Sequence, residues 1–410
     1  VKPSTRTRGV TITVALGSPP SKAMLARFTA QTGIRVNWVQ LDWDSLQTKI
    51  STASMSKTYF ADATDVDWSR VGQLHVTDWF YPLGKYLDTK QFAADMPQLG
   101  SFTVDGKVIG VPYDTSFMVT TVNRKLFAKA GITTMPTTMA DYTKDLQQIK
   151  QRGVVKYPLN IPFAAAEGLS TYWYQTTEAF GGQVLNKDYV PQFTSPDSAG
   201  YRAMQWMVSA MKDGLVSPGN LNVTDSQGQQ TLMAKGAAAS TLGDYSGNVG
   251  TLYDVKSSSS VTGQVGYIRT PGRHGPAGNV NNPDGIGIPR TAKYPNAAAK
   301  FIKWFIDPDN QAAFAGLDGP KNAITGFPFP ARLSTLKRMN EGGKIAQGGQ
   351  ILKLLTDGAR PAFPGAQPPW YGQFSNAVYT HIHSAAAGQE SVPDAVSAIA
   401  STVTRLKGQA

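Results

Sequence analysis

Ile12-Thr13-Val14-Ala15-Leu16-Gly17-Ser18-Pro19 and Thr32-Gly33-Ile34-Arg35-Val36-Asn37-Trp38 bracket the segment whose reading decides the fold class. Ile12 to Leu16 reads as a buried strand. Gly17 breaks it, and a helix is expected to open with Ser18 as N-cap and Pro19 at its first position. Met24, Leu25 and Phe28 supply the apolar face of that helix, and Gly33 ends it. Ile34, Val36 and Trp38 then alternate with Arg35 and Asn37, the pattern of a half-buried strand. A second helix is expected from near Asp44, with Leu46 and Ile50 inward. Strand, helix, strand, helix in this order predicts a mainly parallel sheet covered by helices, with ligand sites at the carboxyl ends of the strands.

The alternation continues. Val104-Asp105-Gly106-Lys107 carries a type I′ hairpin signal. Phe117 to Val122 reads as a strand, Asn123 as the cap of a helix ending at Gly131, and Met139, Tyr142, Leu146 and Ile149 as the inner face of another. Ser195-Pro196 is expected to open a helix carrying Met204, Met207, Val208 and Met211 at helical spacing. A Ser-, Gly- and Pro-rich stretch from Ser257 to Asn282 reads as a crossover between lobes. It precedes a strand at Gly285 to Pro289 and a helix with Ala298, Ile302 and Phe305. Phe327-Pro328-Phe329-Pro330 reads as a further stiff connection.

Composition bounds what such a chain can do. Its 410 residues suit two domains rather than one core. The 41% hydrophobic and 16% charged content belongs to a folded protein. The absence of Cys excludes disulfides, thiolate zinc sites and thiol nucleophiles, and is compatible with an oxidising compartment. The net charge of +11 is spread along the chain, so no nucleic-acid partner is expected. No apolar run approaches the roughly 18 residues of a membrane helix. The polar, basic start from Val1 to Gly9 is expected to be a spacer that followed a signal segment.

Several pieces, in order along nearly the whole chain, carry a resemblance. They are Thr32-Gly33-Ile34-Arg35-Val36, Asp105-Gly106-Lys107-Val108-Ile109-Gly110-Val111-Pro112, and Asn123-Arg124-Lys125-Leu126-Phe127-Ala128-Lys129-Ala130-Gly131. Lys235-Gly236-Ala237-Ala238 leading to Gly243-Asp244-Tyr245, and Ala297 to Trp304, complete the set. The chain resembles extracellular solute-binding proteins of the maltose-binding type, which serve ATP-driven sugar importers. The resemblance implies a two-lobed α/β periplasmic-binding-protein fold of type II, with a carbohydrate in the cleft between lobes and hinge closure on it. It implies an N-terminal lobe of residues 1–114 and 284–326 and a C-terminal lobe of 115–283 and 327–410. Crossings are expected near 113–116, 282–285 and 324–329. It further implies a monomer without cofactor or catalysis, located outside the cytoplasm, periplasmic or lipid-anchored, that delivers a di- or oligosaccharide to separate permease subunits.

A sugar presents hydroxyls around weakly polar C–H faces, so its site needs aromatic rings beside carboxylates or amides. Asp42 and Trp43 follow the second strand, and Trp43 reads either as a stacking face or as an aromatic packed on the Asp44 helix. Asp67 and Trp68 end the short strand Ala61 to Val66, where the family places a ligand-contacting acid. Ser18 lies in another loop the family uses, with helix capping as its alternative role. Tyr113 and Asp114 lie at the first expected crossing, where hinge packing is the alternative. Ser116 aligns with an acidic contact of the maltose binder, a departure that argues against the same sugar. In Tyr172-Trp173-Tyr174 one ring is expected to face the ligand and the others the core. Asp244 and Tyr245 match a Gly-x-aromatic loop at a strand end. Trp370 and Tyr371 match an aromatic pair set against the sugar from the second lobe, or form a lid on the last helices.

Other functions are weighed against this one. A glycosidase needs two carboxyl groups about 5 to 10 Å apart across a sugar, and the spacing of Asp67, Asp114 and Asp244 marks no such pair. His381 and His383 do not share a helical face and lack further ligands, so no metal site is expected. A glycerophosphodiester, held near Gly17-Ser18, is the alternative solute, with peptides and polyamines behind it.

Overall fold

The computed structural model describes residues 2–314 and 329–410. The chain forms two compact units: unit 1 is Val1–Ser116, Asn282–Ile345 and Ala366–Tyr371, and unit 2 is Phe117–Asn281, Ala346–Gly365 and Gly372–Ala410.

Unit 1 starts with strand β1 (Val10–Leu16), helix α1 (Lys22–Thr32), strand β2 (Ile34–Gln40), helix α2 (Trp43–Ser56), strand β3 (Ala63–Asp67) and helix α3 (Val71–Val76). The cap of α1 is Ser21, whose side chain accepts from Met24 N, and not Ser18, which is exposed in the preceding loop. β1 pairs in parallel with both β2 and β3. The far half of the sheet reverses: Asp284–Gly287 runs antiparallel to β3 and to Val111–Pro112. The parallel expectation therefore holds for the opening strands only. Ile12, Val14 and Leu16 pack with Phe28, Phe301 and Phe305 in the core. Phe301 and Phe305 stack at 5.3 Å on the helix Pro295–Phe305, which begins with Pro at its first turn.

The hairpin signal is realised. Thr103–Val104 pairs with Lys107–Val108, and Asp105 and Gly106 take φ of 50° and 73°, the left-handed pair a type I′ turn requires.

In unit 2 the strand Met118–Asn123 lies between Ser240–Tyr245 and Val265–Ile268, antiparallel to both. This sheet corrects the expectation of a mainly parallel second lobe. The helix Glu167–Ala179 is buried along nearly its whole length. A helix enclosed on every side buries consecutive side chains irrespective of its periodicity. Asn123 caps Arg124–Lys129 as expected, whereas the cap of Ala199–Lys212 is Ser198 rather than Ser195.

The chain leaves unit 1 after Ser116 and returns at Asn282. Of the third expected crossing, 324–328 lie outside the described residues. The assignment of 327–410 to the second lobe is corrected for 329–345 and 366–371, which belong to unit 1. Hydrogen bonds account for this: Thr115 N donates to Phe329 O at 3.1 Å, Thr115 Oγ1 to Pro330 O at 2.8 Å, and Leu333 N to Asp95 O at 2.8 Å. Gly72 on α3 admits the second piece, since a methyl group there would lie 1.9 Å from Gln367 O.

Candidate functional site

Unit 1 gathers its site residues at the carboxyl end of β3. Asp65 and Asp67 are two apart and share a face of the strand. The antiparallel register sets Asp284 opposite Asp67, which brings a third carboxylate to that face. One oxygen from each of the three lies within 4.8 Å of the others. Asp65 accepts from Gln47 Nε2 at 2.8 Å and from Tyr113 OH at 2.7 Å. Asp67 accepts from Trp43 Nε1 at 3.0 Å, from Ser69 N at 2.8 Å and from Ser69 Oγ. Every carboxylate oxygen of Asp65 and Asp67 thus faces a protein donor, whereas Asp284 Oδ1 is buried without a hydrogen bond. That arrangement suits shared protons better than a cation, which would have to displace those donors.

Asp114 completes the cluster by accepting from Asp284 N at 3.0 Å. Burial pushes its carboxyl up to about 7, with the Asp67 charge adding to the rise. Burial and the Asp67 charge push Asp65 up to about 8, and burial with its three acidic neighbours raises Asp284 well above the usual range. Tyr113, buried beside these acids, is held protonated and donates to Asp65.

Around Asp67 stand the aromatics. Trp43, the first residue of α2, is half-buried and tied to Asp67 through its indole N–H. Trp68 and Tyr371 are buried together, ring centroids 6.3 Å apart. Arg70, one tight turn beyond Asp67, lies with its guanidinium carbon 5.9 Å from the Trp43 ring and 5.7 Å from the Tyr371 ring. Sequence reasoning missed Arg70; its position three residues after the capping Asp67 was the available signal.

Other expected residues have structural duties in unit 1. Asp42 caps α2 by accepting from Ser45 N at 3.1 Å, and hydrogen bonds from Ser45 lower its pKa. Ser116 donates to Asn282 Oδ1 at 2.8 Å and exchanges two hydrogen bonds with Gln98, pinning the chain where it changes units. Trp370 is buried and belongs to unit 1, which corrects the expectation that it and Tyr371 serve from the second lobe.

In unit 2, Tyr245 ends its strand half-buried, and its hydroxyl donates to the Asp225 carboxylate. Gly168 makes room for Asp225, because a methyl group there would lie 2.3 Å from Asp225 Cγ. Next to it Glu167 accepts from Ser375 Oγ, which also bonds Ser170 Oγ at 2.8 Å. Asp225, Glu167 and Ser375 were not foreseen, since three distant segments supply them.

Two expectations fail here. Tyr172 and Trp173 are fully buried, Trp173 donating to Gly200 O at 2.9 Å and Tyr172 OH accepting from Leu242 N at 3.1 Å; Tyr174 is buried against Phe363 and Phe374. All three rings are core because their helix is enclosed. Asp244 is also buried and accepts from Thr121 Oγ1, Asn248 Nδ2, Tyr253 OH and Tyr245 N at 2.6 to 2.8 Å. His381 and His383 bond separately to Glu390 and to Phe163 O.

Residues 23–332 match the sequence family described as bacterial extracellular solute-binding protein. The chain belongs to that family. It is 27% identical to a binding protein of Brucella abortus over 194 residues, 46% of this chain and 45% of the relative, so the match spans under half of that relative's length. It is 24% identical to the diacetylchitobiose-binding protein DasA of Streptomyces coelicolor over 340 residues, 76% of this chain and 72% of DasA. Maltose-bound MalE3 of T. maritima superposes with a TM-score of 0.81 at 21% identity, covering 97% of this chain and 100% of MalE3. That likeness gives this family member the two-lobed α/β fold expected from its sequence. Among the described residues no helix is long and apolar enough to cross a membrane.

Proposed function

We propose that this solute-binding protein takes up a di- or oligosaccharide outside the cytoplasm, closes on it without chemical change, and delivers it to the permease subunits of an ATP-driven importer. The observation that carries the reading is the strand-end constellation of unit 1. The hydrogen-bonded Asp67, the indole of Trp43 and the guanidinium of Arg70 offer an acceptor, an aromatic surface and a donor at one strand end, Trp43 reaching it from α2. Those are the elements a hydroxylated ring with apolar faces requires. Tyr245 of unit 2, braced by Asp225, is the corresponding aromatic contact there. The names of DasA and of maltose-bound MalE3 support a carbohydrate in preference to a glycerophosphodiester. We further infer a monomer that acts without cofactor and is lipid-anchored or free in the periplasm.

A thermal-shift screen against mono-, di- and oligosaccharides, glycerophosphodiesters, polyamines and peptides tests the class. A ligand at 100 times its Kd stabilises by about 2.7 kcal/mol, enough for a shift of a few degrees. Shifts confined to carbohydrates are expected; a shift only with another solute class overturns the sugar reading.

A further inference from the structure

Between α2 and the segment Trp68–Val76, wholly within unit 1, lies a groove of about 330 Å³. That is the low end of ligand-pocket sizes and suits one sugar unit or its substituent, not a whole oligosaccharide. Its lining includes Trp43, Asp44, Gln47, Ile50, Arg70 and Leu74. Ile50 and Leu74 are almost wholly buried beneath it, and the half-buried ring of Trp43 is its apolar face. Trp43 and Arg70 belong both to this groove and to the constellation around Asp67.

Arg70 is the informative member. It is half-buried between two aromatic rings, and among the described residues no carboxylate or carbonyl pairs with its guanidinium. Stacking satisfies the faces of a guanidinium but leaves its in-plane N–H donors for an acceptor. Asp44, exposed on the same groove, makes no ion pair with Arg70. The groove therefore offers a donor, an acceptor and an apolar surface together. A carboxylate in it would meet the charge of Asp44 and an ammonium that of Arg70, whereas a bare hydroxyl would leave the Trp43 ring unused. A secondary amide with a methyl group matches all three features without a net charge.

We propose that this groove is a subsite for the acetamido group of an N-acetylated amino sugar, Arg70 donating to its carbonyl oxygen and Asp44 accepting from its N–H. The inference rests on the carbohydrate reading above and narrows it to a substrate class.

Isothermal titration of the full chain with matched pairs tests it: N-acetylglucosamine against glucose, N-acetylgalactosamine against galactose, and diacetylchitobiose against cellobiose, with cellobiouronic acid as the charged control. The tightest ligand is expected to carry the acetamido group and to bind at least tenfold better than its unsubstituted partner. In Arg70→Met that ratio is expected to fall at least tenfold, and in Arg70→Lys by less. A tightest ligand without the acetamido group, a preference for the uronate, or a ratio unchanged in Arg70→Met overturns the subsite while leaving the carbohydrate reading in place. Binding of no sugar at all overturns both. The wild-type series needs no variant, so a misfolded Arg70→Met, recognised by its circular dichroism, does not shield the proposal.

Discussion

Two acid–aromatic pairs end strands in this molecule, Asp67-Trp68 in unit 1 and Asp244-Tyr245 in unit 2, and the structure uses them in opposite ways. At the first pair the acid is buried but bonded to the half-buried indole of Trp43, while the aromatic Trp68 is packed away against Tyr371. At the second the acid is enclosed by four donors, and the aromatic Tyr245 is the half-buried member. The same dipeptide chemistry at a strand end therefore does not fix how the acid and the ring are partnered. The surroundings decide: an antiparallel neighbour crowds acids onto β3, whereas Thr121, Asn248 and Tyr253 absorb the single acid of the other strand.

The sharpest test of this contrast is Asp244→Ala. It leaves four donors, three of them buried, without their acceptor and is expected to cost about 3 kcal/mol or more of stability by urea denaturation. A loss below about 1 kcal/mol would mean that Asp244 is not the structural member of its pair. Next in size is Tyr245→Ala, expected to weaken the carbohydrate identified in the screen by roughly 1 to 3 kcal/mol, measured by calorimetry, while the protein stays folded. Unchanged affinity would remove Tyr245 from the site and break the comparison on its aromatic side.

The smallest effect concerns the crowding of acids in unit 1. An Asp whose folded pKa exceeds its unfolded value binds its proton more tightly when folded. The stability it contributes is complete below about pH 4 and is lost as pH rises through the folded value, about 7 for Asp114. Asp114→Asn keeps an oxygen for the Asp284 N–H and removes the charge. The variant is expected to melt a few degrees above wild type at pH 8.5, on the order of 1 kcal/mol, and by a clearly smaller margin near pH 5. Equal melting temperatures at both pH values would show that the cluster carries no excess charge when folded.

Much of the fold was legible. The run from Ile12 to Trp38 gave its two strands and helix because period-2 and helical patterns are local, and the Asp105-Gly106 turn did so because only residues tolerant of positive φ fit it. Of the proposed site, Asp67 and Trp43 could be named from their place at strand ends, and Tyr245 from its loop. Tyr172 and Trp173 were misplaced because the periodicity of a helix does not reveal how many sides of it are covered, and Ser18 because Ser21 competes for the same cap.

By itself the sequence determined the alternating α/β framework, the family, and the supply of acids and rings at strand ends, all consequences of short-range spacing and composition. Only the tertiary structure decided that Asp284 returns antiparallel beside Asp67, that 329–345 and 366–371 rejoin unit 1, and that Arg70 is held between Trp43 and Tyr371. Those outcomes depend on which distant segments become neighbours, and hence on which carboxylates must share protons and which guanidinium is stacked between two rings; pairings between residues separated by tens to hundreds of positions leave no local pattern in a single chain.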